Sequence, residues 1–150
     1  MRISEEWQFE MTSATQKRIL VVEDNIAMAR VIRFTLQQAG FDVTLAANGQ
    51  EAWNLLEESD FDLIVTDQQM PYMTGIALCR KLRDVGKLQE IPVILLTAKR
   101  LELDLERLRT ELGISTVMLK PFSPSQLSII VESHLAGAPQ DLGSSEAFSR

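Results

Sequence analysis

Five short runs dominated by β-branched residues and leucine recur along the chain, at Arg18 to Val22, Phe41 to Ala46, Leu63 to Thr66, Val93 to Leu96 and Thr116 to Leu119. Continuous apolar runs of this length are the mark of strands covered on both faces. Between them the apolar spacing changes to that of helices. Met28, Ala29, Ile32, Leu36 and Ala39 form one stripe closed by Gly40, and Trp53 and Leu56 mark a shorter helix ending near Ser59-Asp60. A third helix is expected after Gly75, on Ile76, Leu78, Cys79 and Leu82, ending near Gly86; Cys79 on that stripe reads as a packed thiol. Leu101, Leu105, Leu108 and Leu112 give a fourth, stopped by Gly113. Ser123-Pro124-Ser125-Gln126 has the spacing of a capping box with proline in the first turn, and Leu127, Ile130, Val131 and Leu135 follow it. His134 in that last turn reads as a solvated or dipole-paired imidazole. Strands separated by helices, too far apart for hairpins, require crossover connections. The fold class that follows is α/β, a doubly wound five-stranded parallel sheet with helices on both faces.

The ends of the chain differ from this pattern. Residues 1–16 are polar with scattered Trp7, Phe9 and Met11, and residues 137–150 are rich in Gly, Ser, Ala and Pro. Both are read as loose tails around a single domain at 17–136. The whole chain of 150 residues carries 21 acidic against 15 basic side chains, a formal charge of −6. No basic stripe is visible, which argues against binding nucleic acid through its phosphates. No apolar run approaches the ~20 residues that a bilayer demands, and the acidic N-terminus does not resemble a secretion signal. A soluble cytoplasmic protein with no membrane partner is the expectation. One histidine and one cysteine leave no basis for a His/Cys metal site or a Cys/His nucleophile.

In sheets of this class ligands sit beyond the carboxyl ends of the strands. Those ends read Glu23-Asp24, Asp67, Thr97 and Lys120, while the second run ends in Ala46-Ala47-Asn48, as suits an edge strand. Three carboxylates brought together repel one another, by on the order of 1 kcal/mol per pair at 4 Å in water and roughly 4 at an effective dielectric of 20. A hard divalent cation answers that repulsion, and Mg²⁺ takes one or two carboxylates, water and a phosphoryl oxygen. Lys120 adds a mobile charge and Thr97 a hydroxyl donor, and an aspartate can be a nucleophile toward phosphorus. The set therefore points to metal-assisted phosphoryl transfer onto one Asp. Taken singly, Asp24-Asn25 could merely cap the first helix, Thr97 a following turn, and Lys120 could be a solvated turn residue. Asp42, Asp60, Asp62 and Glu90 lie at the opposite strand ends and read as solvated turn residues.

The stretches ILVVEDN at 19–25, DLIVTDQQMP at 62–71 with Gly75, PVILLTA at 92–98 and Lys120-Pro121-Phe122 together resemble the receiver domains of two-component response regulators. The resemblance implies a flavodoxin-like receiver fold of strand order 2-1-3-4-5, and a phosphoryl group taken by Asp67 from a sensor histidine kinase or a histidine phosphotransfer protein. It implies that Asp24 holds Mg²⁺ directly and Glu23 through water, with Asp67 and the backbone carbonyl of Gln69 completing the shell. Thr97 matches the switch hydroxyl, Lys120 the phosphate-contacting lysine, and Pro121 the proline of a usually cis Lys-Pro bond. Val117 departs from the pattern, standing where such receivers carry Tyr or Phe. A branched aliphatic does not reproduce a ring's rotation, leaving backbone shifts or weak coupling in its place. Gln69 and Lys99 occupy positions that tune hydrolysis of the acyl phosphate in such proteins.

Fifteen residues after Leu135 are too few for a helix-turn-helix or effector domain. The expectation is a stand-alone regulator, not a turnover enzyme, that signals by protein binding through its fourth helix, fifth strand and fifth helix, with exposed residues such as Leu103 contributing, and with a second copy of the chain as a possible partner. A phosphorylation-independent pseudo-receiver is the alternative. A haloacid dehalogenase-type phosphatase would need an acid where Gln69 stands. Nucleotide or flavin binding lacks a glycine-rich loop after any strand.

Overall fold

The computed structural model describes residues 16–99 and 104–136. The two tails, apart from Gln16, lie outside the described residues, as do Leu101 and Leu103. Five parallel strands, β1 (Arg18–Val22), β2 (Asp42–Ala46), β3 (Leu63–Asp67), β4 (Val93–Thr97) and β5 (Ile114–Leu119), form one sheet in the order β2-β1-β3-β4-β5. They are joined through α1 (Ile26–Gln38), α2 (Gly49–Glu58), α3 (Gly75–Arg83) and α4 (Leu105–Leu112), and α5 (Pro124–Leu135) follows β5. Among the described residues no helix is long and apolar enough to cross a membrane.

Alternation along each strand divides the core in two. Leu20, Val22, Ile64, Val93 and Leu95 pack with Leu56, Leu78, Leu82, Leu108 and Leu112 on the face covered by α2, α3 and α4. Ile19, Val21, Leu63, Val65, Ile94 and Leu96 pack with Ile32, Leu36, Leu127 and Val131 from α1 and α5 on the other. Each residue of β3 and β4 is buried as a result, which is why these runs read as continuously apolar. Cys79 is fully buried in the first of these layers, and burial pushes its thiol up to about 12, so it packs as an apolar group.

Each of α1 to α5 begins on a side chain that accepts from its own first turn. Asn25, Asn48, Thr74, Asp104 and Ser123 accept from the backbone N–H of Met28, Glu51, Ala77, Arg107 and Gln126. The Ser123–Gln126 capping box forms in full. Each such cap stabilises its helix by about 1 kcal/mol.

The structure differs from the sequence reading in several places, beyond shifts of one residue at the ends of β2, β3 and β4. β5 starts two residues earlier, at Ile114, because Ser115 is a bulge: Val93 pairs with Ile114 and Ile94 with Thr116. α3 stops at Arg83, followed by a single 3₁₀ turn at Gly86–Leu88. Its guanidinium donates to the carbonyls of Leu88 (2.8 Å), Leu112 (2.7 Å) and Gly113 (3.2 Å), tying the ends of α3 and α4 together. Asp62 is not merely a solvated turn residue, since its carboxylate accepts the Arg18 backbone N–H at 2.8 Å. Arg18 also pairs with Asp42 at 3.5 Å and donates to the Asp60 carbonyl, while Lys87 pairs with Asp60, so the amino ends of the strands carry their own charge network. Lastly, His134 is half-buried, with Nε2 2.9 Å from the Thr116 hydroxyl, and burial lowers its pKa.

Candidate functional site

The carboxyl ends of β1, β3, β4 and β5 deliver the polar residues to one place because the backbone ladder extends past them. The Glu23 N–H donates to Ala46 O at 3.0 Å, and the Lys120 N–H to Thr97 O at 2.8 Å. Glu23 is 3% exposed, Asp67 2% and Thr97 0%. Asp24 is exposed, and it is free of capping duty because Asn25 caps α1. Carboxylate oxygens of Glu23, Asp24 and Asp67 all lie within 4.8 Å of one another. Lys120 Nζ lies 2.7 Å from Asp67 Oδ1 and 3.5 Å from Glu23 Oε1. The peptide between Lys120 and Pro121 is cis.

Burial pushes the Asp67 carboxyl above its usual range; Lys120 opposes this and the Asp24 charge adds to it. Burial likewise raises Glu23, against the pull of the Asn25 N–H and Lys120 and with the push of Asp67. For Lys120 burial acts downward, but its contacts with Asp67 and Glu23 outweigh it and hold the ammonium above the ordinary lysine value. One lysine thus faces three carboxylates, two of them disfavoured as anions. Asp67 Oδ1 touches Lys120 as an ion pair but receives no directed hydrogen bond. All-oxygen donors and surplus negative charge around a buried carboxylate that a single lysine offsets suit a hard divalent cation. The Gln69 backbone carbonyl accepts no hydrogen bond among the described residues, which leaves it available as a further ligand.

Thr97 belongs to a second group. Its Oγ1 accepts from Gln69 Nε2 at 3.1 Å and from the Lys99 N–H at 3.1 Å. Val117 stands apart from both groups, paired in register with Leu95 and packed half-buried against the core layer under α4.

Two supports escaped the sequence reading. Gln68 Oε1 accepts the Ile76 N–H at 2.8 Å, pinning the start of α3 to the loop after β3. Gly75 lies so close to that strand that a Cβ there would meet Asp67 O at 2.5 Å and Leu95 Cδ1 at 2.8 Å. The glycine was visible in the sequence as part of a motif; its reason, a backbone approach behind Asp67, was not.

The family model described as the response regulator receiver domain matches residues 19–132. The chain belongs to that family. This receiver is 40% identical over 119 residues to the alkaline phosphatase synthesis transcriptional regulatory protein PhoP of Bacillus subtilis (strain 168), covering 79% of this chain and 48% of that protein. It is 38% identical over 120 residues to the probable transcriptional regulator ycf29 of Pyropia yezoensis, covering 79% and 53%. The chain spans about half the length of these curated relatives. Among solved structures it is similar to the chemotaxis response regulator CheY4 of Vibrio cholerae, with a TM-score of 0.72, 30% identity and 81% and 100% of the two chains covered. It is similar also to the receiver domain of the sensor histidine kinase PA1611 from Pseudomonas aeruginosa PAO1, which holds a magnesium ion in its active site cleft (TM-score 0.70, 32% identity, 79% and 97% covered). The flavodoxin-like order β2-β1-β3-β4-β5 read from the resemblance is the one observed.

Proposed function

We propose that this receiver accepts a phosphoryl group on Asp67 from a phosphohistidine of a sensor kinase or phosphotransfer protein, with Mg²⁺ bound. The observation that carries the proposal is the buried Asp67 carboxylate, with Lys120 Nζ at 2.7 Å and two further carboxylates within 4.8 Å. An Asp67 oxygen attacks phosphorus, the phosphorus–nitrogen bond breaks, and its electron pair returns to the donor imidazole. Lys120 offsets charge on the phosphoryl oxygens, and the Thr97 hydroxyl supplies a donor to one of them. Glu23, Asp24, Asp67 and the Gln69 carbonyl would hold the cation, which supplies the neutralisation that lets anionic acceptor and anionic phosphoryl group approach. The protein then assists its own phosphorylation and dephosphorylation and turns over no outside substrate.

Output by protein binding is supported by the surface beside the site. Met118, Leu119, Pro121, Phe122 and Ile129 line an apolar groove of about 310 Å³ between β5 and α5, within the α4–β5–α5 face. Incubation with Mg²⁺ and a small phosphodonor is expected to add one phosphoryl group by intact mass to the wild type and none to Asp67→Asn. An unchanged wild-type mass with several donors, a competent kinase among them, overturns the proposal. That outcome would favour a phosphorylation-independent binding module, the reading for which the packed Val117 speaks.

A further inference from the structure

We infer that the side chain of Gln69 is a latch on Thr97, occupying the switch hydroxyl in the resting receiver so that a phosphoryl group on Asp67 must compete for it. This rests on Asp67 as the acceptor. The polar residues at the strand ends fall into two groups with no side-chain hydrogen bond between them among the described residues. Lys120 joins Asp67 and Glu23, while Gln69 and the Lys99 N–H hold Thr97.

A hydroxyl has one proton and two lone pairs. Here Gln69 Nε2 and the Lys99 N–H, each at 3.1 Å, take the lone pairs. Gln69 Oε1, at 3.4 Å, lies beyond hydroxyl-donor range in this orientation; with the amide turned over it would take the closer place and accept the proton. Either orientation of the amide engages the oxygen, so the contact does not depend on which end is nitrogen. Gln69 and the Lys99 N–H therefore set the orientation of the Thr97 hydroxyl before any phosphoryl group arrives.

Its two holders differ in how they let go. Lys99 holds through backbone, and releasing Thr97 from it means moving the turn after β4. Gln69 is exposed, so its amide can exchange Thr97 for water by side-chain rotation. The latch is therefore the removable part. A side chain acting only on the water that hydrolyses the acyl phosphate would not need Thr97; a latch acts through it.

Three measurements test this on the full chain. In the resting protein, without cation or phosphoryl mimic, Thr97→Val is expected to shift the Gln69 side-chain amide resonances by NMR. In Mg²⁺ and beryllofluoride, Gln69→Leu, which keeps bulk and removes both polar atoms, is expected to tighten binding of the mimic by about three- to tenfold, the range of one neutral hydrogen bond. In a Thr97→Val background the same change should have no effect. Unmoved Gln69 resonances, binding that is unchanged or weakened in Gln69→Leu, or a gain that persists without the hydroxyl would each overturn the latch. Absence of beryllofluoride binding in both wild type and Gln69→Leu would overturn the acceptor reading itself, and the latch's role with it.

Discussion

Asp67 is a carboxylate whose ionisation burial disfavours, set at a strand end with Glu23 and Asp24 close by and, among the described residues, Lys120 paired to it. Under the proposed function, that placement serves the acceptor chemistry. Asp67→Asn removes one of three like charges, and without divalent cation it is expected to stabilise the fold by on the order of 1 kcal/mol, a rise in Tm of about 3 to 5 °C. Added Mg²⁺ should raise the Tm of the wild type more than that of the variant. Thermal denaturation of both proteins with and without the ion checks this. The acids, the threonine and the lysine were legible in the sequence because each ends a strand. The partners of Gln68 and Gln69 were not, because an amide has no preferred neighbour until the tertiary fold supplies one. Asp24 was ambiguous for a local reason, two adjacent residues that could each cap α1, and the structure gives that duty to Asn25.

β1, β3 and β4 announced themselves because both their faces are buried. β5 concealed its start. Ile114 belongs to the layer under α2, α3 and α4, whereas Thr116 pairs with Ile94 of the opposite layer and bonds His134 on α5. Residues two apart on a regular strand share a face, so the bulge at Ser115 breaks the parity that a sequence pattern relies on. Deleting Ser115 would leave Ile114 and Thr116 adjacent, on alternate faces and in their present pairings. That deletion is expected to change stability by no more than roughly 1 kcal/mol. Deleting Val117 instead slips the register under Met118 and Lys120 and should abolish the cooperative transition. Chemical denaturation of the two variants distinguishes them. The end of α3 was hidden for a different reason: Arg83 reaches carbonyls up to thirty positions away, and nothing in its neighbourhood marks that contact.

Across the whole molecule, the acid site gives stability an unusual dependence on pH. Glu23 and Asp67 bind protons more tightly folded than unfolded, since both are raised above their ordinary 4.5 and 3.8. Their contribution is full below those ordinary values and is lost as pH rises through the raised ones. Lys120, also raised, keeps its contribution through neutral pH and loses it only in alkali. His134 works the other way, because a lowered imidazole costs stability as pH falls below 6.5. In cation-free buffer the Glu23→Gln, Asp67→Asn protein should therefore lose stability relative to the wild type as pH falls from 7.5 to 5, with the difference measured by urea unfolding at both pH values. Saturating Mg²⁺ should shrink the wild-type gain, because it favours the ionised ligands. The Arg18 network at the amino ends of the strands stands outside all of this. Five residues of strand separate it from the acids by about 16 Å, beyond a Debye length and beyond the range over which substitutions usually couple. That end of the sheet is a place to attach a dye, a tether or a solid support while leaving the signalling end undisturbed.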